Sequence, residues 1–372
     1  MGIVISGASV WTPAHRITNE ELVASYNAYA DKYNAEHDRE IASGELAAKP
    51  PSSVEFIEKA SGIKARYAYV KDGILDIDRM RPRIPRRADE ALSHQAEMAL
   101  SAARPALEAA DKDASAIDMV IVSCAYTERA YPAIAIEVQS ALGVQGFGFD
   151  MLVACSAATF AMQRAYDALA AGSARGVLVI NPELTSPQIN YCDRDSHFIF
   201  GDVATAVVME REETSTARHR YRVLGTKALT QYSSNIRSNF GYLARVEGGD
   251  PFDELRLFHQ NGRSVFKEVC PLAATHLETH VHSLGLAVND VRRWWLHQAN
   301  INMNNLIVRK LLGRDATQDE APTVLDEYAN TASAGSLIAF AQHHEDLVAG
   351  DHGVICSFGA GYSIGSLVVR KV

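Results

Sequence analysis

The sequence has no uninterrupted apolar run near the roughly 18 residues that a membrane-spanning helix needs, so none is expected. Its opening, MGIVISGASVWTPAHR, lacks a basic start and a long apolar stretch, and no secretory leader is expected either. Cysteine is scarce: five residues, at 124, 155, 192, 270 and 356, lie far apart and form no CxxC pair. This odd, scattered set argues against a disulfide framework or a zinc knuckle and fits free thiols in a reducing cytoplasm. Basic residues are the minority, 36 Lys and Arg against 45 Asp and Glu, for a net charge of −9. Wrapping nucleic acid needs a basic surface, so nucleic acid is not an expected partner. An anionic ligand must instead find a local basic patch.

The 372 residues are 47% hydrophobic and 22% charged, ordinary usage for a globular chain of two to three domain-sized units. Strand and helix signals alternate. Residues 118–125, 147–154 and 176–181 read as buried strands, and 138–143 and 156–171 as helices, the second stopping at Gly172. The pattern returns with strands at 222–228, 294–296, 354–358 and 364–369, and with helices at 262–284 and 300–312. This rhythm predicts an α/β fold whose central sheet is covered on both faces. The polar stretch Arg211–Arg220 marks the expected boundary between a half at 1–213 and a half at 214–372. Two segments read as insertions: a polar, helix-prone stretch at about 26–51, and an arginine-rich loop at about 72–89. Arg79, Arg81, Arg83, Arg86 and Arg87 form either a solvated loop or a dock for an anionic partner.

Three residues carry candidate chemistry. Cys155 stands at a strand-to-helix junction in Asp150-Met-Leu-Val-Ala-Cys-Ser-Ala-Ala-Thr-Phe160. A thiol at a helix N-terminus meets unpaired N–H groups and the positive end of the dipole, which favour thiolate. A buried core cysteine is the alternative, and this segment alone leaves both open. His297 ends a strand in Trp-Trp-Leu-His-Gln-Ala-Asn300, and Asn330 lies in the turn of Glu327-Tyr-Ala-Asn-Thr-Ala-Ser-Ala-Gly335. Either alone reads as a satisfied structural polar group. Together with Cys155 they form a set able to converge on one site. A histidine and an asparagine can both donate to a thioester carbonyl and so stabilise an enolate.

Several segments in this order resemble the β-ketoacyl-acyl carrier protein synthase III family of the thiolase superfamily. They are the segment around Cys155, Phe198-Ile-Phe-Gly-Asp202, Gly262-Arg-Ser-Val-Phe-Lys267, Leu296-His-Gln-Ala-Asn300, Tyr328-Ala-Asn-Thr331 and Phe358-Gly-Ala-Gly361. The chain further resembles a longer subgroup acting on medium-chain acyl starters, the β-ketodecanoyl synthase type. The resemblance implies a five-layered αβαβα sandwich of two similar halves, assembled as a homodimer. It implies a decarboxylating Claisen condensation in fatty acid biosynthesis, joining an acyl-CoA starter to malonyl-acyl carrier protein through an acyl-Cys155 intermediate. His297 and Asn330 would stabilise the enolate. The N–H groups of Cys155 and Ala360 would form an oxyanion hole, Ala360 standing where the family has glycine. No metal or organic cofactor is implied. Tyr131 matches a position where the family places a phenylalanine reaching into the partner's acyl pocket; an ordinary interface aromatic is the alternative. Lys267, Arg309 and Lys310 match basic positions that meet the carrier protein.

The chain departs from the family in Glu55-Phe-Ile-Glu-Lys-Ala-Ser-Gly-Ile63, where Phe56 replaces the tryptophan that stacks on the adenine of CoA. In the same segment Ala60 replaces a nearby arginine. In Gln298-Ala-Asn-Ile-Asn302, Asn302 replaces an arginine facing the carrier. CoA and carrier are therefore expected to be gripped differently. Gly359-Ala-Gly-Tyr-Ser-Ile-Gly365 leads into a strand, so it is not a dinucleotide loop. Asp193-Arg-Asp-Ser-His197 reads as a polar loop with internal ion pairs, and His343 and His344 as surface residues. Two other readings remain: acyl transfer without decarboxylation by an enzyme of the same fold in secondary metabolism, and a non-catalytic partner subunit.

Overall fold

The structure, a computed structural model, describes residues 2–239 and 256–372. In chain order its strands are β1 (Ile3–Trp11), β2 (His15–Thr18), β3 (Ala65–Ala68), β4 (Met119–Cys124), β5 (Phe147–Leu152), β6 (Gly176–Glu183) and β7 (Val203–Arg211). They continue as β8 (Tyr221–Ser233), β9 (Ile236–Ser238), β10 (Phe258–Gln260), β11 (Val291–Leu296), β12 (His352–Gly359) and β13 (Gly361–Lys371). The helices are α1 (Asn19–Glu36), α2 (Asp38–Ala42), α3 (Val54–Ser61), α4 (His94–Ala109), α5 (Ile134–Leu142) and α6 (Ala157–Ala171). After them come α7 (Gly262–Ser283), α8 (Ile301–Leu312), α9 (Leu325–Tyr328) and α10 (Gly335–Gln342).

Nine strands form one sheet in the order β11-β12-β13-β8-β1-β7-β6-β4-β5. Its two arms meet in the sheet where β1 pairs with β8, through Val4 with Arg222 and Ile5 with Tyr221. In one arm β4 is parallel to β6, while β7 is antiparallel to both β6 and β1. In the other, β11 is parallel to β12, while β13 is antiparallel to both β12 and β8. Strands β1, β4, β6 and β7 thus have counterparts of the same order and direction, and β5 extends the first arm as its outer edge. Helices α6 and α10 pack against strands of both arms. Helices α4 and α5 cover the other face of the first arm, and α7 with α8 that of the second. The result is the five-layered sandwich that the family resemblance implies.

Strand periodicity assigns each side chain to a layer, because successive residues point to opposite faces. Met119 and Ile121 of β4 join the central core around α6 and α10, whereas Val120 and Val122 face α4 and α5. Trp295 and Ile355 point to the same central core, and Trp294 and Val354 to the α7 side. Each such aliphatic side chain, once fully buried, contributes about 1.5–3 kcal/mol. A fourth core caps one end: Ile17, Leu22, Ile57, Ile63 and Ile74 pack with Phe198 and Phe200.

The segment expected as a first insertion lies within α1, α2 and the strap that follows. Thr18 and Glu21 form a reciprocal capping box at its start. Tyr26 is buried and stacks on His197 at 4.8 Å, so the segment is fastened to the body. Residues 72–89 form an irregular loop whose arginines mostly bind the loop's own surroundings. Arg83 pairs with Asp72 at 3.1 Å, Arg87 binds Glu97, and Arg79 donates to the Arg81 carbonyl at 3.2 Å. Arg79, Arg81 and Arg87 are half-buried, whereas Arg83 and Arg86 are exposed. His343 and His344 differ from expectation: both are half-buried at the end of α10, and His344 stacks on Phe340 at 4.9 Å.

Candidate active site

Strand β5 ends at Leu152, and a single 3₁₀ turn, Ala154–Ser156, carries Cys155 into α6. Ala154 takes φ +45°, a left-handed conformation that a residue with a Cβ adopts at a cost. The Ser156 hydroxyl donates to the Ser363 carbonyl at 2.8 Å and ties this turn to β13. The hairpin between β12 and β13 lies directly against Cys155. A Cβ placed on Gly359 would stand 2.5 Å from the Cys155 Cβ, so only glycine permits the approach. Burial, followed by the charge of Glu183, pushes the Cys155 thiol up to about 12, against the backbone amides of Cys155 and Ala360, which hydrogen-bond the sulfur and lower it. The expected preference for thiolate at a helix start is therefore outweighed by desolvation. Both amides thus face the Cys155 sulfur.

His297 follows the last residue of β11, and its N–H donates to the Cys356 carbonyl at 2.8 Å. The ring is 2% exposed and packs edge-on against Phe358 at 5.1 Å. Burial lowers its pKa to about 3, so at neutral pH it is a neutral donor and a weak base. Asn330 sits in a turn held to the body by its own N–H on the Ile199 carbonyl at 2.9 Å and by Gly201 N–H on its carbonyl at 3.1 Å. Its side-chain Oδ1 accepts from Ala332 N–H at 2.9 Å, which leaves the amide N–H₂ to donate. Ala329 and Ala332 flank it at φ +57° and +47°. Left-handed alanines thus stand beside both Cys155 and Asn330.

Cys155, His297 and Asn330, brought from three distant parts of the chain, line one cavity of about 760 Å³. Phe56, Ala60, Phe198 and Asn302 line it as well. A smaller cavity of about 80 Å³ also touches Cys155, between Ala125, Thr185, Phe200 and Ala360. The Arg194 guanidinium lies over the Phe56 ring at 3.7 Å, with its Nε donating to the Pro51 carbonyl at 2.7 Å. Arg194 also pairs with Asp195 at 3.5 Å within the polar loop expected at 193–197, whereas its ring contact has no sequence signal. The two segments that carry the departures meet here: Asn300 Nδ2 donates to the Ala60 carbonyl at 2.7 Å and Asn302 Nδ2 to that of Lys59 at 3.5 Å.

The remaining candidates lie elsewhere. Tyr131 is 85% exposed and lines neither cavity. It shares its exposure with Ile136, and with Phe147 and Leu152 on the edge strand β5. Lys267 projects into solvent from α7, and Arg309 and Lys310 from α8. Arg309 is paired with Asp315 at 2.6 Å; Lys267 and Lys310 have no ion pair among the described residues.

Comparison with known proteins agrees with this geometry. A family model described as 3-oxoacyl-[acyl-carrier-protein] synthase III matches residues 149–228, and the model of that synthase's C-terminal part matches residues 281–371. A β-ketodecanoyl-[acyl-carrier-protein] synthase of Pseudomonas aeruginosa is 53% identical over 347 residues, 93% of this chain and 99% of that protein. A β-ketoacyl-[acyl-carrier-protein] synthase III of Erythrobacter litoralis is 30% identical over 335 residues, 89% of this chain and 94% of that protein. The crystal structure of the Aquifex aeolicus 3-oxoacyl-[acyl-carrier-protein] synthase III superposes with a TM-score of 0.76 at 23% identity, covering 99% of this chain and all of that one. With matches spanning both arms of the sheet and the segments around Cys155 and His297, the chain belongs to the 3-oxoacyl-[acyl-carrier-protein] synthase III family of condensing enzymes.

Proposed function

We propose that this enzyme joins a medium-chain acyl-CoA to malonyl-acyl carrier protein in fatty acid biosynthesis, through an acyl-Cys155 intermediate. The observation that carries the reading is the shared cavity of Cys155, His297 and Asn330. The starter length follows the relative named β-ketodecanoyl synthase, whose product implies a starter two carbons shorter. In the first half-reaction the Cys155 sulfur attacks the thioester carbonyl, the carbon–sulfur bond to CoA breaks, and CoA leaves with the thiol proton. The amides of Cys155 and Ala360 face the developing oxyanion. In the second, the malonyl thioester loses carbon dioxide, and the bonding electrons pass into an enolate held by donors on His297 and Asn330. That carbanion attacks the acyl carbonyl, the bond to Cys155 breaks, and the thiol regains a proton. Covalent catalysis by the thiol leaves no step for a cofactor.

Phe56 and Arg194 together suit an adenine ring and its phosphates at the mouth, in place of the cation absent at Ala60. Lys267, Arg309 and Lys310 supply a local basic patch for an acidic carrier on this acidic chain. The exposed apolar edge of β5 and neighbouring Tyr131 suit a second copy of the chain, which would bring Tyr131 to the partner's acyl pocket. The two arms correspond to halves 1–213 and 214–372, and the cytoplasm is the compartment proposed.

Intact-mass analysis after mixing with acyl-CoAs, followed by malonyl-carrier protein, tests the reading. An acyl adduct on Cys155 that becomes a β-ketoacyl product supports it. An adduct that never consumes malonyl thioester favours plain acyl transfer, and no adduct with any starter favours a non-catalytic subunit. Adduct formation that survives Cys155→Ala overturns the choice of nucleophile.

A further inference from the structure

One buried ionisable group outside the catalytic set stands directly behind it. Glu183 is the last residue of β6 and is 1% exposed. One carboxylate oxygen accepts from the Ser333 N–H at 3.1 Å and also from the Ser333 hydroxyl. The other accepts from the Ala125 N–H at 3.1 Å. Ser333 ends the turn that presents Asn330 and is the neighbour of left-handed Ala332, whose N–H orients the Asn330 amide. Ala125 follows β4 and lines the small cavity beside Cys155. One side chain therefore binds the Asn330 turn, the β4 loop and the end of β6 into a single frame.

We propose that Glu183 is a positioning residue: it fixes the Asn330 turn for the carbon–carbon bond-forming step. A carboxylate suits this task because every partner is a donor and it accepts on both oxygens. A glutamine has the same shape, but its N–H₂ would meet one of those donors head-on and leave it unsatisfied. After burial, the Glu183 charge also raises the Cys155 thiol. Burial pushes the Glu183 carboxyl itself up to about 7, against hydrogen bonds from Ser333 and Ala125, with Asp202 adding to the rise. The titratable neighbours are Asp202, Cys155, Cys124 and Tyr126. The ionised form makes the accepting contacts, so turn geometry tightens as pH rises through that value.

The inference rests on the condensing reading above, and its test separates the half-reactions. In Glu183→Gln, acylation of Cys155 by acyl-CoA should hold its rate or quicken. Condensation by pre-acylated enzyme should fall about tenfold or more, with the KM for malonyl-carrier protein little changed. The wild-type condensation rate should rise through pH 7, and that limb should vanish in the variant. Ser333→Ala removes a donor from the turn and should lower condensation alone, which keeps the inference testable if Glu183→Gln does not fold. Equal loss of both half-reactions together with a lowered Tm would make Glu183 merely structural and overturn the proposal, as would condensation at wild-type rate in Glu183→Gln. Wild-type enzyme unable to condense would instead overturn the reaction assignment.

Discussion

Replacing His297 by alanine should separate the two half-reactions, with a size that follows from its surroundings. The imidazole is 2% exposed, packed on Phe358, with a pKa lowered to about 3 by burial. At pH 7 the protonated fraction of such a group is about one in ten thousand. His297 therefore acts as a fixed neutral donor. A preorganised donor in a water-poor site contributes about 2.7–4 kcal/mol to the stabilisation of an oxyanion, or about 10²–10³ in rate. His297→Ala should lower condensation by that factor in single turnovers that start from acyl-Cys155, with carbon dioxide release and β-ketoacyl product recorded together. Acylation should change little, since the donors proposed for its oxyanion are backbone groups. Imidazole NMR should show no charge change at His297 between pH 5 and 8. A titration midpoint near 6.5, or condensation within about threefold of wild type, would refute the reasoning.

Gly359→Ala places a Cβ 2.5 Å from that of Cys155, and should abolish acylation and lower stability by about 1–3 kcal/mol, read by adduct mass and denaturant melts. Arg194→Ala removes the guanidinium from the Phe56 ring and should raise the KM for acyl-CoA about two- to thirtyfold, for a cation–π contact of about 0.5–2 kcal/mol. An unchanged KM would show that CoA is gripped elsewhere. Acid should destabilise the fold well above the ordinary carboxylate range. His197, His276 and His280 are buried, with burial lowering each to about 4 and His297 lower still, whereas the unfolded chain regains the ordinary value near 6.5. Between those values only the unfolded state takes up the proton, so stability is present above pH 6.5 and falls by up to about 1.4 kcal/mol per histidine per pH unit as pH drops toward 4. His344 is lowered by burial to about 4 as well; the raised carboxyls Glu183, Asp202 and Asp150 act with the opposite sign, but they are three against these five histidines. A Tm that holds steady from pH 7 to pH 5 would contradict this accounting.

The elements that follow from local pattern were readable in the chain. The helix after Cys155 stops at Gly172, which takes φ +76°, because its alanine-rich composition and left-handed stop are local properties. The helix closed by Gly313 and the hairpin around 359–361 were legible for the same reason. Cys155, His297 and Asn330 were nameable because each sits at the end of a legible element, and the family resemblance joined them. Arg194 was missed because its partner ring is far away in sequence, on α3. Glu183 was missed because an acidic residue ending a strand ordinarily signals solvent, and only the returning Asn330 turn buries it.

Composition and short-range periodicity sufficed for the alternating strands and helices and for the position of Cys155 at a helix start. These depend on neighbours within a few residues, and the chain carries that information explicitly. The ionisation of the site belongs to the folded molecule alone. A helix N-terminus favours thiolate, yet the folded site holds the Cys155 thiol up at about 12 and His297 down at about 3. Desolvation and the charge of Glu183 come from segments far apart in sequence, and they act only once packing has excluded water.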